Sequence, residues 1–182
     1  AELMAYPQHP DFGEYFQPLS EMPEEIQELF TYNPEKAKAL LLEAGVPEGF
    51  RFKIQVCSCN PSHMDLIPLL ESYLSKVGIQ VEIQPMEYAS FFSAMTTKTH
   101  GPGYLVHSGH VNPVTTLRKS FVTGQKWNPS QYSSEYFDKQ IDILHNERDE
   151  QKRIQLIRHL TRTIMSETPY IWLPVPYVHT AC

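Results

Sequence analysis

The feature that most constrains the fold is the stretch Tyr32–Pro85, whose pattern predicts a helix, a strand, a second helix and a second strand. Asn33 is a favourable helix N-cap, and Pro34 suits the first helical position, where its missing N–H costs no hydrogen bond. Four apolar residues then recur at the spacing of one helix face, and Gly45 provides a left-handed C-terminal cap. These four residues are Ala37, Leu40, Leu41 and Ala44.

Two strands and a second helix complete this stretch. Apolar residues alternate with polar ones over two segments, which is the period of a strand. They are Phe50, Phe52, Ile54 and Val56 in the first segment and Ile79, Val81 and Ile83 in the second. Between them, residues 66–77 carry an apolar stripe at helical spacing, and Gly78 ends it. A strand, a crossover helix and a second strand form a βαβ unit, so the two strands are expected to pair in parallel.

Length and charge narrow the classes of function. A chain of 182 residues is long enough for one domain, or one lobe of a larger protein, with a sizeable core. Its formal net charge is −6, and no basic stripe is present that could neutralise the phosphates of a nucleic acid. This argues against a nucleic-acid partner. The sequence has no run of the roughly 18 apolar residues that a membrane-spanning helix needs. No residue pattern calls for a cofactor or for a structural zinc ion.

The later part of the chain predicts three more helices and a last strand. The first covers residues 112–121, and Ser134 and Asp149 are expected to cap the other two. The predicted buried stripes of those two helices are Phe137, Ile141 and Leu144, and Ile154, Ile157, Leu160 and Ile164. An aromatic stripe of Tyr88, Phe91, Phe92 and Met95 is predicted to be core. The segment 170–177 alternates like a strand, and its prolines favour an edge position or an irregular crossing.

Several of these segments share their order and spacing with one known family. They are Tyr32–Gly45, Leu74–Val81, Pro85, the pair Asn112-Pro113 with Leu117, the segment WNPSQYSSEYFDKQID that begins at Trp127, and the closing PYIWLPVPY. Across these segments, which cover roughly residues 30–177, the chain resembles the C-terminal lobe of the family 5 solute-binding proteins. That family comprises the peptide- and nickel-binding receptors of bacterial ABC importers.

The resemblance implies an α/β fold with a mostly parallel sheet, βαβ units and flanking helices, as one lobe of a type II periplasmic-binding-protein-like clamshell. Residues 1–31 are then expected to form an extended N-terminal segment with one helical turn near Glu24–Leu29. Residues 32–182 would be the ligand-binding lobe, and a first lobe and a secretion signal would lie outside this chain. The implied function is the substrate-binding component of an ABC import system, which closes on an oligopeptide or another small solute.

The resemblance also implies partners and a location. The partners are a small-molecule or peptide ligand, the missing N-terminal lobe and a membrane ABC permease, without nucleic acid, and a monomer is expected. The location is periplasmic or extracellular, and a membrane anchor through a preceding segment is left open. A protein of this kind is not expected to be an enzyme.

The candidate ligand site follows from the predicted sheet. In an open parallel sheet, ligands bind beyond the carboxyl ends of the strands. With a third parallel strand predicted at Tyr104–His107, these ends are Ser58–Ser62, Met86–Tyr88 and His107–Asn112, and their loops should face one cleft. The candidate ligand-binding residues are Ser58, Cys59, Asn60, Tyr88, His107, Ser108, Gly109, His110, Asn112 and Trp127. The aromatic ring of the last could stack on a ligand or simply pack in its own loop.

The loop 107–113 bears most on the choice of ligand. By the resemblance, peptide-binding relatives carry an Asp here that binds the α-ammonium group of the peptide, and alignment on Pro113 places Gly109 at that position. Because a buried ammonium group needs a compensating charge or several acceptors, the ligand stays open. His107 and His110 form an H-x-x-H pair that could bind a metal, a metal chelate, a carboxylate or a sugar, or be two exposed loop residues.

The cysteines support a competing hypothesis. Cys57 and Cys59 lie two residues apart on a predicted strand, where an extended backbone denies them the reach of a normal disulfide, so they are expected to be small apolar fillers. Cys182 could be free or paired outside the chain. A hydrolase would use Cys59 as nucleophile, His107 or His110 as base and Asp65 to orient that base, without a known catalytic signature. A third hypothesis is an interaction domain that has lost its ligand.

Overall fold

The computed structural model of the chain describes residues 6–106 and 112–173. Its elements are α1 (Glu24–Glu28), α2 (Pro34–Glu43), β1 (Arg51–Cys57), α3 (Pro61–Ser75), β2 (Gln80–Met86), α4 (Tyr88–Thr97), β3 (Gly103–Leu105), α5 (Pro113–Phe121), α6 (Glu135–Asn146) and α7 (Glu150–Glu167). None of the helices within these ranges combines the length and the apolar content needed to cross a bilayer.

The backbone contacts divide the described residues into two units. Residues 32–106 form one of them, the sheet unit, and residues 6–31 together with 112–173 form the other, the helical unit. The N-terminal segment therefore groups with the last helices of the chain. The sequence-based division into 1–31 and 32–182 stays a prediction for the intact protein.

Parallel strands build the sheet unit. The strand order is β2-β1-β3, and β1 pairs in parallel with both neighbours. This confirms the predicted βαβ unit and a third parallel strand. That strand covers Gly103–Leu105, whereas Tyr104–His107 was predicted, and residue 107 lies outside the described ranges. Pro85 stands in β2 opposite Val56, and it is tolerated because an edge strand leaves one row of N–H groups without a ladder partner. The fold is α/β, as predicted.

The core of the sheet unit lies between β1 and the helices that cross over it. Helix α3 packs on β1 and β2, and α4 packs on β1. The buried side chains are Ile54, Val56, Cys57, Ile67, Phe91, Met95 and Leu105. The prediction that the whole aromatic stripe of α4 is core is wrong at its first position, since Tyr88 is 58% exposed. No residue of α2 is buried, and Leu40 in its apolar stripe is 53% exposed.

Gly103 allows β3 to approach β1 closely. A Cβ atom at this position would overlap the backbone carbonyl oxygen of Lys53 and would lie 2.8 Å from the side chain of Ile54. A backbone oxygen in a paired strand cannot move aside without breaking the ladder, so only glycine fits here.

Replacement of Gly103 by alanine is therefore expected to destabilise the sheet unit, by about 2 kcal/mol as for other overpacked sites. Gly101→Ala is the matched control, because its Cβ would meet only the Gln55 side-chain oxygen, at 4.0 Å. Urea unfolding of both variants measures the difference. Equal midpoints for the two alanine variants would contradict the close-approach argument.

Tyr104 anchors β3 to α4. Its hydroxyl donates a hydrogen bond of 2.6 Å to the backbone carbonyl oxygen of Phe91, and the two rings stack with centroids 4.3 Å apart. Burial raises the pKa of the Tyr104 phenol above its ordinary value of 10.0. A group with a raised folded-state pKa contributes stability below the unfolded-state value, and that contribution is lost as the pH rises beyond it.

The variant Tyr104→Phe is expected to be less stable than the parent protein below pH 10 by about 1 kcal/mol, the net value of one hydrogen bond. The gap should narrow as the pH rises above about 10, because only the parent protein then loses the contribution of the neutral phenol. Denaturant unfolding at several pH values from neutral to alkaline measures the gap. A gap that stays constant into the alkaline range would show that the phenol is not the titrating group.

Three helices and the N-terminal segment form the helical unit. The cores of α5, α6 and α7 share one cluster, made of Leu117, Phe121, Phe137, Ile141, Leu144, Ile157, Leu160 and Ile164. The predicted caps are confirmed, since Ser134 accepts a hydrogen bond from the Phe137 N–H and Asp149 accepts one from the Lys152 N–H. The predicted apolar stripes of α6 and α7 are buried.

The N-terminal segment is less extended than predicted. Helix α1 matches the expected helical turn, but two short 3-10 helices at Pro10–Tyr15 and Leu19–Glu21 precede it. Met22 and Ile26 pack against Met165 of α7. Side chains of α7 also hold the segment by hydrogen bonds. These bonds could not be predicted from the sequence, because their partners are far apart along the chain. Arg158 donates to the backbone oxygen of Glu14 at 2.7 Å, and Arg162 to the side-chain oxygen of Gln17 at 2.7 Å.

The predicted last strand is wrong in the part that the structure describes. Residues 170–173 carry no strand, and residues 174–177 lie outside the described ranges. Tyr170 and Trp172 instead pack edge-on against Phe121, with ring centroids 5.8 Å and 6.4 Å away. Their aromatic area goes into the core of the helical unit.

Candidate functional site

The carboxyl edge of the sheet brings the loops after β1 and β2 side by side. The last residue of β1, Cys57, stands opposite Met86, the last residue of β2. On the other side of β1, Val56 stands opposite Leu105 at the end of β3. The structure therefore places the chain exits of all three strands at one edge, which is the location expected for ligands of an open parallel sheet.

Ser58 ties the first two loops together. Its backbone N–H and its side-chain hydroxyl both donate to the carbonyl oxygen of Met86, each at 3.0 Å. The side chain is exposed. Because both donors converge on one acceptor, the turn after β1 is held against the end of β2.

The expectation for the cysteines is corrected by the structure. Cys57 and Cys59 form a disulfide, with Cα atoms 5.2 Å apart. That spacing lies within the usual disulfide range, because the chain turns at Ser58 and Cys59 and does not stay extended. Cys57 is buried as expected, but Cys59 is exposed and is not an apolar filler.

Two helices begin at this edge, and polar side chains cap both. The Asn60 side-chain oxygen accepts from the His63 N–H at 3.2 Å and caps α3. The Glu87 carboxylate accepts from the N–H groups of Ala89 and Ser90, at 2.8 Å and 3.3 Å, and caps α4. Glu87 was missed as a site residue, although a carboxylate just before an apolar helical stripe is a recognisable cap signal.

The substitution Asn60→Ala is expected to destabilise the sheet unit by about 1 kcal/mol, because it removes the acceptor for a helix N–H. Asn60→Asp should restore most of the loss, since a carboxylate oxygen caps as well as an amide oxygen. Thermal and urea unfolding of the three proteins test this. If the aspartate variant were as unstable as the alanine variant, the side chain would act otherwise than as a cap.

Tyr88 is the exposed aromatic residue of this edge. It is the first residue of α4, is 58% exposed, and its ring stacks on that of Phe92 with centroids 6.0 Å apart. An aromatic ring that is already oriented by a neighbour offers apolar area to a ligand with little further ordering. Of the predicted candidates, Ser58, Cys59, Asn60 and Tyr88 all lie at the ends of adjacent strands.

The other candidates divide between the helical unit and the residues outside the described ranges. Asn112 caps α5 by accepting from the Thr115 N–H at 2.7 Å, and Trp127 is 41% exposed; both belong to the helical unit. The candidates His107, Ser108, Gly109 and His110 lie outside the described residues. Within 6–106 and 112–173, no three His, Cys, Asp or Glu side chains are grouped as a metal site requires.

The helical unit carries a groove that sequence reasoning did not single out. Its volume is about 750 Å³, and side chains from α5, α6 and α7 line it. Its lining includes the charged residues Arg118, Lys119, Asp142 and Arg153 and the imidazole of His145. Arg153 is already engaged with the backbone carbonyl oxygen of Glu147 at 3.1 Å, where it closes the C-terminal end of α6.

The sequence matches the model of one protein family. The model of the bacterial extracellular solute-binding proteins, family 5 Middle, matches residues 2–129. The chain belongs to this family. The resemblance that the sequence pattern indicated is thereby confirmed.

Curated relatives and solved structures agree with that assignment. The chain is 26% identical over 148 residues to the dipeptide-binding protein of Escherichia coli K12, covering 77% of this chain and 28% of that protein. It is 26% identical over 162 residues to heme-binding protein A of Haemophilus influenzae, covering 85% of this chain and 29% of that protein. The chain thus spans less than a third of the length of these relatives.

Two solved structures share the fold. One is the periplasmic binding protein DppA of Helicobacter pylori in complex with the peptide STSA, with a TM-score of 0.70, 24% identity, and coverage of 89% of this chain and 31% of that one. The other is NikA of Staphylococcus aureus in complex with Ni(L-His)2, with a TM-score of 0.69, 16% identity, and coverage of 76% and 30%.

Proposed function

We propose that this chain is the C-terminal ligand-binding lobe of the substrate-binding component of an ABC import system. Its ligand would be an oligopeptide or another small solute, bound at the carboxyl edge of the sheet unit. The observation that carries the proposal is the family match over residues 2–129, together with the strand ends and two capped helix starts that meet at one edge.

The mechanism in this proposal is closure, without covalent chemistry. A second lobe outside this chain supplies the other half of the contacts, and the ligand bridges the two lobes. A ligand that binds the closed form more tightly than the open form shifts the hinge equilibrium towards closure, and a membrane permease recognises the closed form. The protein would act as a monomer in the periplasm or outside the cell, either free or held by a membrane anchor.

Two classes of ligand are compatible with this lobe, a peptide and a solute with an apolar or aromatic part. Gly109 stands where the resemblance places the ammonium-binding Asp of peptide receptors, so a peptide would need another counter-charge. Glu87 places a carboxylate at the carboxyl edge, beside Tyr88. A solute with an apolar or aromatic part would use the exposed Tyr88 ring, and its polar groups would meet Ser58 and Asn60.

The Cys59 thiol that the hydrolase hypothesis needs as its nucleophile does not exist in this structure. A cysteine nucleophile must be a thiolate, and the Cys59 sulfur is bonded to Cys57. The family relatives named above are binding proteins, which also favours a binding role.

Native mass spectrometry of the protein with both lobes, purified without added ligand, tests the proposal. A discrete retained adduct is expected, and its mass identifies a peptide or another solute. The isolated chain should bind the same ligand far more weakly, because it presents only half of the contacts. A protein that retains nothing, and that binds no member of a peptide and metal-chelate panel by calorimetry, would contradict the proposed function.

The variant Tyr88→Ala is expected to weaken ligand binding by the two-lobed protein roughly tenfold, equivalent to about 1.4 kcal/mol, by removing a pre-oriented aromatic surface. Tyr73→Ala is the matched control. Tyr73 is 53% exposed near the C-terminal end of α3, about 20 Å along the helix from the carboxyl edge. Calorimetric titration with the ligand found by mass spectrometry measures both. Equal losses in the two variants would place the ligand elsewhere.

A further inference from the structure

The two sulfurs of the Cys57–Cys59 disulfide lie in unlike surroundings. Cys57 ends the central strand and is 3% exposed, whereas Cys59 stands in the turn that follows and is exposed. The bond lies at the carboxyl edge of the sheet. Structural disulfides of secreted proteins usually resist reduction, whereas exposed disulfides belong to the labile, regulatory or catalytic class.

Access decides which sulfur an incoming thiol can attack. Thiol–disulfide exchange requires the attacking thiolate to reach one sulfur in line with the bond, while the other sulfur leaves. Packing at the end of β1 shields Cys57, which is only 3% exposed. Attack is therefore directed to Cys59.

A hydrogen bond stabilises the negative charge that the sulfur of Cys57 acquires when it leaves. The backbone N–H of Cys59 donates a hydrogen bond to the Sγ atom of Cys57 at 3.3 Å. A hydrogen bond to sulfur favours its thiolate form over the thiol, and a better-stabilised thiolate leaves faster. The same short segment keeps the released Cys57 two residues from Cys59, so the bond can close again.

We propose that the Cys57–Cys59 disulfide is a thiol-exchange site that accepts low-molecular-weight thiols at Cys59. The thiolate of the incoming molecule forms an S–S bond to the Cys59 sulfur, the Cys57–Cys59 bond breaks, and its electron pair leaves with Cys57 as a thiolate. Attack of Cys57 on the mixed disulfide reverses the step and expels the small thiol. The exchange neither needs nor consumes a further oxidant, and it goes beyond the proposed solute-binding function.

Opening the bond changes the loop that carries the candidate site. Ser58 lies inside the ring that the disulfide closes, and Asn60 follows it as the cap of α3. A small thiol bound at Cys59 would therefore occupy the carboxyl edge, next to the turn that Ser58 holds against Met86.

The test uses the oxidised protein with Cys182→Ser, so that only these two cysteines remain. The protein is incubated with reduced glutathione at neutral pH, quenched with acid, freed of glutathione, alkylated and mapped by mass spectrometry. Glutathione is expected on Cys59 and the alkyl group on Cys57, in excess over the reverse pattern by roughly tenfold or more. The disulfide-closed peptide of residues 53–62 is the control, because both of its sulfurs are accessible and should react comparably.

Two single-cysteine variants test access separately. In the same background, Cys57→Ser leaves only the Cys59 thiol and Cys59→Ser leaves only the Cys57 thiol. Oxidised glutathione should modify the first variant roughly tenfold faster than the second. The proposal is overturned by equal rates, by glutathione on Cys57 to the same extent as in the peptide, or by a disulfide that stays closed at glutathione concentrations that open the peptide.

Discussion

The parallel pairing of β1 with both of its neighbours is the constraint on which the sheet unit depends. Parallel strands cannot be joined by a tight turn, so a helix must cross between each consecutive pair. Those crossovers supply α3 and α4, which pack on β1, where Ile54, Val56 and Cys57 are buried. They also determine that both helices begin at the carboxyl edge, close to the ends of the strands. The location of the candidate site thus follows from the pairing.

At that edge, the polar groups serve local structure first. Ser58 fastens the turn after β1 to Met86, Asn60 caps α3, and Glu87 caps α4. Such contacts order a surface in advance, which lowers the entropy lost when a ligand binds. A site built in this way is suited to binding, and the family membership of the chain agrees with that use.

A different kind of contact organises the helical unit. Its core is a single apolar cluster between α5, α6 and α7, to which aromatic rings at positions 170 and 172 add area. The N-terminal segment joins this unit through apolar contacts to Met165 and through hydrogen bonds from Arg158 and Arg162. Two arginines of α7 therefore hold in place a segment that lies far away in the sequence.

Features that depend on neighbours along the chain were predictable from the sequence. The caps at Asn33, Ser134 and Asp149, the stripes of α6 and α7, and the parallel pair β1 and β2 follow from side-chain chemistry within one turn or from the length of a crossover. The edge of the sheet where Ser58, Asn60 and Tyr88 meet followed in turn from that pairing. In these places, local preference and the final fold agree, as they do in sequences that fold reliably.

Other features could not be predicted from the sequence. They depend on residues that are far apart along the chain, or on a backbone turn that an alternating pattern conceals. The close approach at Gly103, the incomplete burial of the α2 stripe and the aromatic packing that replaces a strand at 170–173 are set by what lies opposite in space. The disulfide of Cys57 and Cys59 formed because β1 ends at Cys57 and the chain turns there. The sequence was enough to predict the α-helices, several of their caps and the parallel order of the first two strands, because these rest on interactions within a few residues. The sequence could not show which helix and strand faces are covered, or that the Cys59 sulfur is exposed, because burial is a property of the assembled packing.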